Sequence, residues 1–209
     1  MSVCRPSSTE EQHTGVNILL HSVLVNISSH PIICTPPRPY PPLPLSSPPE
    51  TVADAIKAAA TAAGIELADP EDIADATSIA SFDAIIAGAP TWHTDADSER
   101  SGTAWDNWLY DDLPGMDLKG KKVAVFGVGD QNGYSDNYCD AAGELYDRFK
   151  DAGCEMVGFT STEGFEHTAS KAEVGGKFVG AMFDEDNQYD LTPARAAKWV
   201  TQLQGEGLF

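Results

Sequence analysis

Basic residues are scarce in this chain: 13 Lys and Arg stand against 32 Asp and Glu, a formal net charge of −19. Such an excess repels nucleic acid and anionic membrane surfaces and leaves a basic protein surface as the natural complement. The deficit is local. Residues 1–49 hold two basic groups (Arg5, Arg38) and two acidic ones (Glu10, Glu11), so the whole −19 falls on residues 50–209. Cysteine is also sparse. Cys4, Cys34, Cys139 and Cys154 form no C-x-x-C pair, so a disulfide framework is not expected, a reducing compartment is, and Cys139 and Cys154 read as small buried hydrophobes. The five histidines are scattered and no metal site is readable. No run of about 18 apolar residues exists, so no transmembrane helix is expected.

Proline, by contrast, is concentrated. Residues 35–49 carry eight prolines in fifteen positions, a composition that keeps out of helices and sheet interiors and predicts an extended polyproline-like linker. The chain therefore divides into an irregular, Pro-rich segment, 1–49, and a domain, 50–209. Residues 1–15 are expected to be disordered. Residues 1–9 are poor in acid, yet with two arginines in the whole segment and no basic amphipathic helix they make a weak targeting peptide. The apolar run that follows lacks the basic lead and cleavage site of a signal peptide. Val16 to Ile27 is a β-branched run compatible with a strand.

From residue 50 the pattern is regular. Helices are predicted over Glu50–Ala63, ending at Gly64, over Thr103–Leu113, over Asn137–Ala152 and over Pro193–Gln204 with Thr192 as its cap. Strands are predicted at Ile65–Ala68, Phe82–Ala89, Lys122–Val128, Glu155–Thr160 and Lys177–Met182. Near-continuous apolar strands alternating with helices mean a parallel sheet covered on both faces. The acidic residues of the helices read mostly as a solvated face.

Two loops carry the chemistry. Ala89-Pro90-Thr91-Trp92-His93 leaves one apolar run, and Gly129-Asp130-Gln131-Asn132-Gly133-Tyr134-Ser135-Asp136-Asn137 leaves another. Open α/β sheets bind ligands beyond the carboxyl ends of their strands, beside a switch in strand order. One aromatic on each loop can sandwich a flat apolar ring there. Taken alone, Trp92 reads as packing. Gly127-x-Gly129-x-x-x-Gly133 is one residue too long for a dinucleotide fingerprint, and Asp130 would repel a pyrophosphate.

Gly88-Ala89-Pro90-Thr91-Trp92, Trp105, Leu109-Tyr110, Phe126 to Gln131, Gly133 to Asn137, Gly176 to Gly180 and Asp184 to Gln188 follow one another at a familiar spacing. Over about three quarters of its length the chain resembles the long-chain flavodoxins, the small FMN electron carriers of cyanobacteria, algae and bacteria. The polar insertion from Glu163 to Lys177, splitting the last strand, resembles the mark of that branch. The resemblance implies a flavodoxin-like three-layer α/β sandwich with a five-stranded parallel sheet of order 2-1-3-4-5. It implies FMN as cofactor and low-potential one-electron transfer, not an enzyme. The flavin would lie between Trp92 and Tyr134. Thr91, Trp92, His93 and Thr94 would line its N5 edge, with a backbone carbonyl near His93 able to accept N5–H after one electron and one proton are taken up. Val128, Gly129 and Asp130 would present backbone groups to the pyrimidine edge, and Asn137 and Asp140 would lie by the dimethylbenzene side or support the loop. The family often has Asn where His93 stands. The partners implied are basic redox proteins of the photosystem I and ferredoxin–NADP reductase type. The chain is expected to be a monomer, in the chloroplast stroma for an algal source or the cytoplasm for a bacterial one. Physical reasons accompany the resemblance. Stacking adds about 0.5–1.5 kcal/mol beyond area burial, and carboxylates around an anionic reduced flavin disfavour a second electron.

One part of the family pattern is missing. Its phosphate loop reads Thr/Ser-x-Thr-Gly-x-Thr, but the corresponding positions here are Pro44-Leu45-Ser46-Ser47-Pro48-Pro49. Ser47 replaces the glycine, Pro49 the last threonine, and two prolines remove two N–H donors from a phosphate site. Pro, Leu and Ser have pyrimidine-rich codons, so residues 1–49 are expected to be translated intron ahead of a splice acceptor, replacing the native first strand. Mature transcripts continuous across the Glu50 codon would overturn that. If the segment is genuine, Val16 to Ile27 is what can serve as the central first strand. Two rival functions stay open. One is an NAD(P)H-dependent flavin quinone reductase, opposed by the acidity and by the lack of an additional loop for nicotinamide or quinone. The other is a flavin-free product that lost FMN together with its phosphate loop.

Overall fold

The computed structural model describes residues 16–20, 47–67, 71–73 and 79–209. The expected linker over 35–46, with Pro44, Leu45 and Ser46, and the expected disordered start, 1–15, lie outside the described residues.

Two strands make the centre of the sheet. β3 (Ala84–Pro90) and β4 (Lys122–Val128) run parallel, in register from Ala84↔Lys122 to Pro90↔Val128. Their residues alternate between two cores, as the period of a strand requires. Ile85, Ala87, Ala89, Val123 and Val125 enter one cluster, and Ala84, Ile86, Ala124, Phe126 and Val128 enter the other. The first core is closed by α2 (Ala104–Asn107) and α3 (Asp140–Asp151) through Trp105, Leu145 and Phe149. The second is closed by α1 (Pro48–Ala62) and α4 (Thr192–Gly205) through Val52, Ile56 and Trp199. β1 (Val16–Leu20) lies parallel between β3 and the edge strand β2 (Glu71–Asp72). The sheet order is β2-β1-β3-β4-β5. The expected three-layer α/β sandwich is therefore the one observed, and a strand from ahead of residue 50 fills the place between β2 and β3.

The last strand is split, so six strands share the sheet where five were expected. β5 (Glu155–Val157) pairs with Lys122–Ala124, and β9 (Gly180–Phe183) continues alongside Val125–Val128. The chain leaves at Gly158, whose φ of +85° suits glycine. It forms a small antiparallel sheet from β6 (Thr160–Ser161), β7 (Glu173–Val174) and β8 (Lys177–Phe178), then returns. The return needs Gly180, where a Cβ would sit 1.8 Å from the Val125 carbonyl oxygen.

Several boundaries differ from expectation for identifiable reasons. Pro48 and Pro49, read as linker, open α1, because the first N–H groups of a helix have no intrahelical acceptor and proline presets φ. Leu67 makes only an isolated bridge within the predicted strand Ile65–Ala68, and the edge strand comes later at Glu71. The helix predicted over Thr103–Leu113 is α-helical for four residues, then widens over Trp108–Asp112 and tightens at Leu113–Gly115, around Pro114. α3 begins at Asp140, not Asn137, since Cys139 adopts a left-handed φ of 54°. Thr192 is inside α4, not its cap, and its hydroxyl bonds Glu185. Cys139 and Cys154 are buried and free, and burial pushes the Cys154 thiol up to about 11. Among the described residues no helix is long and apolar enough to cross a membrane, and no cluster of potential metal ligands exists.

Candidate functional site

The loop after β3 is held by two buried carboxylates. Asp106, in the first turn of α2, accepts the Ser101 amide at 3.0 Å, the Ser101 hydroxyl at 2.6 Å and the Gly102 amide at 2.8 Å. Glu144, on α3, accepts the amides of Glu99 and Arg100, both at 2.8 Å, and the Tyr110 hydroxyl. Burial and the Glu144 hydrogen bond raise the Tyr110 pKa. The start of the loop is tied to its end, because the His93 amide donates to the Arg100 carbonyl at 3.1 Å. His93 Nδ1 lies 2.9 Å from the Glu99 carbonyl and 3.5 Å from the Asp106 carboxylate. A carbonyl only accepts, so Nδ1 carries a proton.

The loop after β4 is organised from within and from β9. Asp130 Oδ1 accepts the amides of Asn132 (2.9 Å) and Gly133 (2.8 Å) and the side-chain amide of Asn187 (2.8 Å). A Cβ at Gly133 would lie 2.3 Å from Asp130 Oδ2, so glycine permits this turn. Just past β9, the fully buried Asp184 accepts the Gln131 amide at 3.2 Å, the Gln131 side chain at 2.7 Å, and both Asn187 nitrogens. Gln131 passes the connection on by accepting the Glu166 amide at 2.7 Å. The two loops start side by side, joined where the Thr91 amide donates to the Val128 carbonyl at 3.2 Å.

The structure thus gathers the ten residues singled out by sequence around two adjacent strand ends, but it gives them different tasks. Trp92 is 44% exposed and Tyr134 55%, while Trp105, Phe126 and Phe149 are fully buried. His93 is exposed, and Thr94, Gly129, Asp130 and Asn137 are half-buried. Thr91 and Asp140 turn inward. The Thr91 hydroxyl accepts the Ala141 amide at 3.1 Å in the first turn of α3, and Asp140 accepts the Lys171 amide at 2.8 Å, anchoring the insertion. Val128 is buried. Asp106, Glu144 and Asp184, which brace the loops, were not singled out from sequence. The signal available for Glu144 was its neighbour Gly143, a mid-helix glycine whose Cβ would lie 2.4 Å from Lys171 backbone.

The Asp130 turn predicts a pH effect. Hydrogen bonds from the Gly133 amide, then from Asn187 and Asn132, hold its pKa below the ordinary 3.8 against a smaller opposing burial effect. A depressed carboxylate contributes stability that is complete above the unfolded value and fades as pH falls through the folded one. Acid unfolding between pH 4 and lower values should therefore be less steep in Asp130→Asn; parallel curves for the two proteins would refute this.

A cavity of about 430 Å³ lined by Leu109, Leu113, Met116 and Arg148 includes none of these loop residues. The first turn of α1, which begins within the positions that correspond to the phosphate loop, offers little to an anion. Pro48 and Pro49 have no N–H, and the Ser47 amide donates to the Glu50 carboxylate at 2.8 Å.

Comparison with known proteins gives consistent matches. The Flavodoxin family model matches residues 49–199. A flavodoxin from Picosynechococcus is 44% identical over 158 residues, covering 74% of this chain and 88% of that one. One from Synechococcus elongatus is 43% identical over 147 residues, covering 68% and 82%. Among solved structures, the Fusobacterium nucleatum flavodoxin bound to flavin mononucleotide aligns with a TM-score of 0.71 at 25% identity, covering 92% of this chain and 98% of that one.

Proposed function

Because the chain belongs to the flavodoxin family, we propose that it holds one FMN and carries single electrons between redox proteins, with no substrate turnover of its own. The observation that supports this most is the pair of large aromatics, Trp92 and Tyr134, left exposed on two braced loops at adjacent strand ends. A flat ring between them would cover apolar surface that is otherwise in water. When bound, FMN supplies the reversible electron uptake. The chain supplies the rest. Trp92 and Tyr134 would flank the ring and exclude water, His93 and Thr94 would lie along one edge, and backbone groups of Val128, Gly129 and Asp130 along another, with Asn137 at the far end. Thr91 and Asp140 support the loops in this reading. The domain comprises residues 50–209 together with β1.

Charge sets both potential and partners. The net −19 disfavours adding further negative charge to the ring, which keeps the carrier at low potential, and it steers the protein toward basic docking faces. Partners of the ferredoxin–NADP reductase and photosystem I type have that chemistry. A monomer fits a carrier that must expose one ring edge to successive partners, and an algal source would place it in the chloroplast stroma.

Fluorescence-quenching titration of the 209-residue chain tests the reading: saturable, one-to-one FMN binding is expected, and its absence sinks the proposal. NADPH oxidation by the purified holoprotein alone would favour the quinone reductase instead. The first turn of α1 adds a second expectation. With two donors missing and Glu50 nearby, the phosphate gains little from α1, so FMN should bind no more than about ten-fold tighter than riboflavin, the equivalent of one hydrogen bond to a charged group. A preference of a thousand-fold would refute it.

A further inference from the structure

We propose that Glu144 is the positioning residue of the flavin-side loop: its carboxylate clamps two consecutive backbone amides to α3 and so sets the geometry of residues 91–102. This role rests on the FMN reading above. Glu144 is only 5% exposed, and a carboxylate buried on a helix is costly unless its oxygens find donors. Here both do. Oε1 accepts the Glu99 amide and Oε2 the Arg100 amide, each at 2.8 Å, in a fork that grips the two peptide units on either side of the Glu99 Cα. The Tyr110 hydroxyl also bonds Oε1, and Arg100 Nη1 lies 3.7 Å from it.

The residue between the gripped amides would not hold its shape unaided. Glu99 has a φ of 58°, a left-handed conformation that is unfavourable for any residue carrying a Cβ. Without the fork, the loop gains by relaxing to an extended φ. The clamped residues in turn form the seat of the site. The Arg100 carbonyl receives the His93 amide at 3.1 Å, and the Glu99 carbonyl lies 2.9 Å from His93 Nδ1. Two residues on, Gly102 approaches so closely that a Cβ there would lie 3.1 Å from Trp92 Cβ. Contact therefore runs without a gap from Glu144, through Glu99 and Arg100, to His93 and the stacking Trp92. Packing of α3 alone would be served as well by an apolar side chain at position 144. A carboxylate is needed only for the loop.

The test compares wild type with Glu144→Gln and Tyr110→Phe. Glutamine keeps the volume but offers one acceptor and turns an NH₂ toward an amide donor. Tyr110→Phe removes the phenol and leaves both amide bonds in place. In E144Q, FMN should bind at least about ten-fold more weakly, the loss of one hydrogen bond to a charged group, and the visible circular dichroism of the bound flavin should change. In the FMN-free protein, exchange of the Glu99 and Arg100 amides should accelerate about ten-fold while amides of β3 and β4 stay as slow as before. Y110F should bind within about three-fold of wild type. Should E144Q fail to fold, Glu144→Asp, which keeps the charge one methylene short of the amides, must show the same pattern more mildly. FMN-loaded wild type with an E144Q (or E144D) variant of equal affinity and unchanged exchange overturns the role alone. Equal losses in E144Q and Y110F also overturn it, by placing the effect on the phenol. A wild type that takes up no FMN overturns the cofactor reading and this role together.

Discussion

Asp184→Ala should lower the thermal midpoint by roughly 10 °C and weaken FMN binding in the same protein. The carboxylate is wholly buried just past β9, and it is where the loop carrying Tyr134 is fastened to the sheet. It accepts the Gln131 amide and side chain, the Asn187 amide and side chain, and the Asp186 amide at 3.2 Å. Alanine removes every acceptor at once and leaves buried donors without partners, at a cost of about 1–3 kcal/mol for each group that water cannot reach. Water will enter part of the space, so about 3 kcal/mol is a reasonable net figure. For a chain of this size one kcal/mol corresponds to about 2–4 °C. The loop effect is separable from the stability effect. At a temperature where the variant is still fully folded, proteolysis within residues 129–137 should be faster than in wild type and FMN affinity lower. An unchanged melting curve, or a lowered one with intact loop and affinity, would show that Asp184 does not fasten the loop.

The contrast between what sequence revealed and what it hid follows from the range of the interactions involved. β3 and β4 were legible because they are buried on both faces, and burial writes itself as an unbroken apolar run. The aromatic loops were legible because they follow those runs directly. β2 was not, since two residues with acidic side chains carry no periodicity; its position is set by pairing with Leu19 and Leu20. The split of the last strand was legible in its polar insertion, but the exact break at Gly158 and return at Gly180 were not, because Phe159, Thr160, Lys177 and Phe178 keep a strand-like pattern while pairing elsewhere or not at all. Buried carboxylates were the largest omission. Acidic residues on helices were read as a solvated face, and for Asp106 and Glu144 that reading is wrong. Their donors are backbone amides from a loop up to 45 residues away in sequence, and backbone amides have no sequence signature. Asp184 lay within a segment that matched the family, yet its task was visible only once β9 stood beside β4.

The pair Trp92→Ala and Tyr134→Ala should nearly abolish FMN binding while leaving the protein as stable as before. Both rings are substantially exposed, so neither contributes much to the cores that hold the fold; surface changes of this kind shift stability by about 0.5 kcal/mol or less. Against a flat aromatic ligand their value is far larger. Stacking of one side chain on a nucleobase is worth about 1–3 kcal/mol by alanine substitution, and a flavin presents a wider face. Each single variant should thus lose about five- to 150-fold in affinity. Each side chain flanks a different face of the ring in the proposed site, so the two losses should add, giving about 2–6 kcal/mol for the double variant. Phenylalanine at either position keeps the ring and should retain most of the affinity. Because apolar and π contacts carry the effect, it should persist in high salt, where the acidic surface is screened. A double variant that binds FMN within three-fold of wild type would place the flavin somewhere other than between these loops. One that binds weakly but also melts early would mean the two aromatics serve the fold rather than the ligand.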